Sequence, residues 1–202
     1  MSPLVSPGNL SASSLPPPPA DLAGFPSLHL REAKLFRIHR ATLSPWWFSS
    51  DGGGRFDLPA ESGRGTCYLA TEPEGCFLEV FRSVSLIAEQ EIQVRRLSRL
   101  TVGEALLADC AAGRSREFGL TAEIHSTPDY RVPQRWAAAF ATAGFDGVRY
   151  LLRHDPSQHL AGIALFGPTG SPSWMAPPPE EIGLSLLIEV ERRFGLRVRP
   201  TP

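Results

Sequence analysis

Three consecutive glycines, Gly52 to Gly54, constrain this chain more than any other feature, because a run without Cβ atoms holds neither helix nor strand. They sit in SSDGGGRFD (residues 49–57) and divide two segments of strand character. Before them, KLFRIH (34–39) alternates, with Leu35, Arg37 and His39 on one side and Phe36 and Ile38 on the other. After a second glycine-punctuated turn, TCYLA (66–70) forms another strand. The glycine loop therefore delivers Arg55 and Phe56 between two strands, beside whatever those strands frame.

Helix signals follow. TEPE (71–74) offers a cap residue, a proline for the first turn and a glutamate, so a helix is expected to about Arg82, with Cys76, Phe77 and Val80 inward and Glu79 beside that stripe. Residues 96–102 read as a strand, and 103–112 as a short helix or irregular segment. A second helix is expected over 133–143, where Trp136, Ala139 and Phe140 recur at helical spacing and Gly144 ends it. Two apolar strands, 147–152 and 162–166, flank the polar segment RHDPSQHLA. A last helix over 181–193, closed by Gly195, and a strand over 196–198 complete the chain. Separated strands and helices without regular alternation indicate an α+β fold.

Residues 1–27 carry the run Pro16 to Pro19 and few large apolar side chains, and read as a disordered or polyproline-like arm, alternatively a proline-rich ligand. Residues 28–202 then form one domain, a length that suits a single core. No apolar stretch approaches the ~20 residues of a membrane-spanning helix. Cys67, Cys76 and Cys110 are odd in number and lack a Cys-x-x-Cys pair, so neither a disulfide framework nor a zinc site is indicated and a reducing cytoplasm is expected. A net charge of -1 supplies no general field for nucleic acid or anionic membrane, so any anion site has to be local.

The local chemistry concentrates around the glycine loop. Arg37 and Arg55 can each present a planar fork to a diphosphate, with Gly54 and its neighbours letting backbone approach the ligand. Tyr68 offers a stacking face and a hydroxyl, and Glu79 can bind ribose hydroxyls and stabilise positive charge at an anomeric carbon. Each also has an ordinary reading: a strand arginine in solvent or an ion pair, a helix glutamate in solvent, a tyrosine in the core. Two further features divide the same way. His154-Asp155 with His159 reads as a metal or base site or as a solvated turn, and Trp46-Trp47 as a stacking platform or as core and lid packing.

The succession LFRIHR, GGGRFD and YLATEPEGCFLEV, in this order and at these intervals, resembles the RES-domain family, named for signature Arg, Glu and Ser residues. The matching elements are an aromatic-Arg pair (Phe36-Arg37), a Gly-Arg-aromatic turn (Gly54-Arg55-Phe56), a Tyr-Leu-Ala strand (Tyr68 to Ala70) and a helix glutamate (Glu79). DYRVPQRWAAAFATAGFDGVRYL resembles the family's closing helix and strand, so the likeness spans Leu35 to Gly167. The chain departs from the pattern at Ile38, often Tyr, and at Asp57, usually Asn. The signature Ser has no match: anchoring on Asp129-Tyr130 puts Arg131 at its place, with Ser126 nearby.

The resemblance implies a fold like that of ADP-ribosylating toxins, a compact mixed or antiparallel sheet with flanking helices. It implies cleavage of the nicotinamide glycosidic bond of NAD⁺, with water or inorganic phosphate as acceptor, by a toxin-like protein with a cognate Xre-type antitoxin. Arg37 and Glu79 take the catalytic roles, and Arg55, Tyr68, Gly54, Phe56, Asp57 and Arg131 the substrate contacts. NAD⁺ is then substrate and not recycled cofactor, and the chemistry requires no metal. The departures leave two rivals: a RES domain that binds a nucleotide or partner without turnover, and transfer of ADP-ribose to a protein. Oligomeric state stays open, a homo-oligomer included.

Overall fold

The computed structural model describes residues 15–82 and 84–199. A seven-stranded mixed sheet forms its centre. The strands are β1 (Ser27–Leu30), β2 (Ala33–Arg40), β3 (Arg64–Ala70), β5 (Arg95–Val102), β6 (Ala105–Asp109), β7 (Gly147–Leu151) and β8 (Ala161–Pro168), in the order β1-β6-β7-β8-β3-β2-β5. Only the β6–β7 pair is parallel. A separate parallel pair joins β4 (Leu86–Ala88) to β9 (Arg197–Arg199). The helices are α1 (Pro73–Phe81), α2 (Glu89–Gln93), α3 (Glu123–Ser126), α4 (Arg131–Thr142) and α5 (Leu184–Phe194). The expected α+β class, a mixed sheet flanked by helices, is what the chain adopts.

Alternation in the strands divides the core in two. One sheet face carries Ile38, Ala70, Val148 and Ala164 against Phe77 of α1, Trp136 and Phe140 of α4 and Val190 of α5. The opposite face carries Leu35, Leu69, Ile163 and Leu165, packed with Trp46 and Phe48. Trp46 is thus core, its indole N–H donating to the Met175 carbonyl at 3.1 Å, whereas Trp47 is 42% exposed.

Four boundaries differ from expectation, each for a tertiary reason. Residues 105–109 form β6 in the sheet interior, not a helix: Leu107 and Ala108 are fully buried, and pairing with Gly147 to Arg149 outweighs the helix preference of Ala-Leu-Leu-Ala. The fold opens with β1 ahead of β2, as its partner β6 was not foreseen. The last helix starts at Leu184 and not Glu181, because Glu180 is held extended by two backbone hydrogen bonds with Leu97, both 2.8 Å. The expected arm packs from Leu15 onward: Leu15, Leu22 and Phe25 are buried in the larger core, and Phe25 lies 4.8 Å from the Phe140 ring. Residues 1–14 lie outside the described residues.

The Trp136 indole donates to the Pro16 carbonyl at 2.9 Å, tying this proline segment to α4. Trp136→Phe keeps most of the apolar volume and removes the bond, so unfolding in urea should show a loss of about 1 kcal/mol. An unchanged midpoint would mean that apolar packing alone seats the segment.

Candidate active site

Strands β2 and β3 are sheet neighbours yet pair only at Phe36 and Ala70. Their divergence opens the sheet, and a cavity of about 410 Å³ lies there against α1. A single row of paired residues, Phe36, Ala70, Gly162 and Tyr150, crosses four strands beside it. Gly162 leaves room for the Tyr150 ring: a Cβ there would fall 2.4 Å from Tyr150 Cζ. Tyr150 consequently turns across β8 into the cavity wall.

The glycine loop forms the next wall through a closed set of hydrogen bonds. Asp57 Oδ2 accepts from the Gly54 N–H at 2.8 Å, and Asp57 Oδ1 accepts from the Tyr68 hydroxyl at 2.8 Å. That hydroxyl in turn accepts from the Phe56 N–H at 2.8 Å. Gln134 of α4 donates to the carbonyls of Gly52 and Gly54, both at 2.9 Å. Gly54 has no space for a side chain, because a Cβ would stand 2.3 Å from both Asp57 Oδ1 and Tyr68 Oη. Burial raises the Asp57 carboxyl above its usual range, against the lowering effect of the Gly54 and Tyr68 bonds. Burial likewise pushes the Tyr68 phenol up. Asp57 and the Tyr68 hydroxyl thus shape the loop, while Tyr68 also lines the cavity.

Glu79, on α1, lines the cavity half-buried. Among the described residues its carboxylate has no hydrogen-bond or ion-pair partner. Burial raises its pKa, and Arg82, Arg55 and Arg153 each offset part of that rise. Arg55 is buried, donates to the Thr127 carbonyl at 2.7 Å and lies 4.8 Å from the Tyr130 ring centroid. Burial lowers its pKa. Arg37 borders the cavity from β2 and is held differently: its Nη1 donates to the carbonyls of Pro45 at 2.7 Å and Trp47 at 2.9 Å and lies 2.8 Å from Cys67 Sγ. The arginines are therefore divided, with Arg55, Arg82 and Arg153 around Glu79 and Arg37 apart on β2.

The structure gathers Arg37, Gly54, Arg55, Asp57, Tyr68 and Glu79 at one cavity. Phe56 lies behind it, fully buried, its ring centroid 5.0 Å from that of Tyr150 and tilted to it. Arg131 lies outside, on the exposed start of α4, bonded to Asp129 at 2.7 Å. Ser126, exposed on α3, donates to the Ala122 carbonyl and does not line the cavity. Residues the sequence reading does not place at the site complete the walls: Ser49, Arg82, Tyr130, Tyr150 and Arg153, with His154, which it weighs only as a metal or base residue or part of a turn. Arg82 had a signal, three residues after Glu79 on the same helix. Tyr150 had none beyond its place in an apolar strand.

The segment after β7 is the exposed turn expected, with Arg153 and residues 156–159 exposed, and a single buried carboxylate organises it. Asp155 is buried and accepts from the Ser157 N–H and hydroxyl, the His159 N–H and the Leu160 N–H. Among the described residues no three His, Cys, Asp or Glu side chains come together as a metal site. No helix among them is long and apolar enough to cross a membrane. The three cysteines are buried, and burial pushes Cys76 up to about 12, so its thiol stays protonated on the buried side of α1.

A family model described as the RES domain matches residues 34–180. Among solved structures, the chain resembles one in the crystal structure of the M. tuberculosis MbcT–MbcA toxin–antitoxin complex, with a TM-score of 0.63 and 20% identity over 82% of this chain and 92% of that one. At that identity the likeness is one of fold. The sequence matches no curated protein.

Proposed function

The chain belongs to the RES-domain family, and from that premise we propose that it cleaves the nicotinamide glycosidic bond of NAD⁺. One observation carries the reading: a partly buried carboxylate without a partner, Glu79, shares a cavity with four arginines and three tyrosines. A dinucleotide supplies what such a site lacks, namely phosphate negative charge for the arginines and flat rings for the tyrosines. The bond to nicotinamide breaks with its electron pair leaving on the ring nitrogen, so nicotinamide departs neutral and the ribose carbon becomes oxocarbenium-like. A fixed carboxylate in a partly desolvated cavity stabilises that charge more than it stabilises the ground state. An oxygen of water or of inorganic phosphate then bonds to the carbon.

Glu79 is assigned the ribose hydroxyls and the developing cation. Arg55, stacked on Tyr130, is assigned a phosphate of the substrate. Arg37 anchors the segment that leads to Ser49 and Asp51 and offers its remaining guanidinium N–H groups to the cavity. In this reading the protein depletes NAD⁺ in a toxin-like manner and has a cognate antitoxin, as the solved neighbour was found with one.

Purified protein incubated with NAD⁺ should release nicotinamide, with ADP-ribose as co-product if water is the acceptor and ADP-ribose-1″-phosphate if phosphate is. Arg37→Lys keeps the charge but has one nitrogen, so it cannot both hold Pro45 and Trp47 and offer further N–H groups to the cavity, and kcat/KM should fall about 10- to 100-fold, the equivalent of one charge-assisted hydrogen bond. Nucleotide binding without nicotinamide release would overturn the catalytic reading in favour of a binding domain. Radiolabel transferred to protein in a lysate would replace it with ADP-ribosyl transfer.

A further inference from the structure

The cations of the cavity are more numerous and more widely spread than one diphosphate needs. Arg37 stands on β2 and Arg153 just beyond β7, and β3 and β8 run between those strands. Three strand spacings amount to about 14 Å. That width separates the backbones, and the two arginines reach the one cavity from opposite flanks, which lets the flanks serve different groups.

The flank around Arg153 carries exposed cations at the cavity edge on a fixed backbone. Among the described residues the Arg153 guanidinium has no hydrogen-bond or ion-pair partner, although it lines the cavity. Its backbone is fixed by the connection that follows, where Leu152 donates to the Leu160 carbonyl at 3.0 Å and the buried Asp155 carboxylate gathers its four donors. Arg82 approaches from the end of α1. Its backbone takes φ 40°, a conformation that a side-chain-bearing residue rarely adopts. That turn is held by the Arg82 N–H on the Leu78 carbonyl at 2.7 Å and by its Nε on the Glu79 carbonyl at 3.2 Å. His154, half-buried, lines the same cavity. Burial lowers its pKa first, and Arg153, Arg82 and Arg55 lower it further, so the ring sits neutral among three cations at neutral pH.

We infer that Arg153 and Arg82, with the His154 ring beside them, form a second oxyanion subsite on the flank opposite Arg37, and that its ligand is a tetrahedral phosphate group. Two sources share that chemistry: free inorganic phosphate and a phosphate monoester on the ribose of the bound nucleotide. The assignment extends the NAD⁺ reading, yet binding can be measured without turnover.

The test uses the full chain and two ligands, inorganic phosphate and NADP⁺ set against NAD⁺, with affinities from calorimetry or ³¹P line broadening. Arg153→Gln should weaken inorganic phosphate at least about tenfold, as expected for a lost charge-assisted bond. Arg153→Lys should restore most of it, and Arg116→Gln, an exposed site outside the cavity, should change nothing. If Arg153→Gln instead erases a preference for NADP⁺ over NAD⁺, the subsite holds the monoester. Unchanged phosphate affinity together with an unchanged NADP⁺/NAD⁺ ratio overturns the subsite. Phosphate binding that depends on Arg153 in a protein that never consumes NAD⁺ upholds it and removes the catalytic reading instead.

Discussion

Glu79→Gln should lower the rate of NAD⁺ loss by about 10²- to 10³-fold, the usual cost of removing one preorganised charge-stabilising group, while leaving the protein at least as stable as before. The two halves of that expectation rest on one fact. Burial raises the Glu79 carboxyl, and the upward direction persists although Arg82, Arg55 and Arg153 all pull it down. The folded chain thus pays to keep this group ionised, and the isosteric amide removes the cost. Sites that sacrifice stability for function behave in this way. Nicotinamide release and thermal melts on the same preparations decide it. Activity near the wild-type level would remove Glu79 from the chemistry. A melting point lowered by several degrees would instead make the carboxylate a structural partner of the arginines.

The sequence made Glu79 and the glycine loop readable because their signals are local: a helix start, an apolar stripe, a run of residues without Cβ. It did not reveal how the arginines divide. Arg37 and Arg55 are close in sequence and both suit a diphosphate, yet Arg55 joins Arg82 and Arg153 around Glu79, a grouping set by strand order. Arg153 stands 71 positions beyond Arg82 and lines the same cavity only because β7 and β8 fold back beside β3. Similarly, Leu106 to Ala108 favour helix by composition and become strand because the sheet needs a partner for β7. The segment from Leu15 to Phe25 looked too polar to order, but three apolar side chains suffice where α4 already presents Trp136 and Phe140. In each case the deciding interaction is long-range, which local pattern does not record.

The surroundings of Arg55 should be sensitive to acid through His125, on α3. The ring is buried, and its Nδ1 accepts from the Leu151 N–H at 3.3 Å, so the proton of the neutral ring is on Nε2. Burial, followed by the Arg55 charge, lowers its pKa from 6.5 to about 4; Arg149 adds to the lowering, and Asp109 and the Cys110 backbone oppose it. Between those values the unfolded chain carries a proton that the folded chain refuses. Stability contributed by the neutral ring is therefore present above about pH 6.5 and lost as pH falls toward 4, by at most about 3 kcal/mol. Protonation also removes the acceptor for Leu151 and places a cation near Arg55, whose anchor, the Thr127 carbonyl, lies two residues beyond His125. Loss of stability and loss of ligand binding should then set in together on acidification. His125→Asn keeps an acceptor in place of Nδ1 and does not titrate, so its stability should fall less steeply over this window. Glu79 and Asp57, whose raised pKa values act in the opposite sense, are common to both proteins and cancel in the difference. Identical slopes from urea unfolding at pH 4.5 to 6.5 would exclude His125 as the group that titrates.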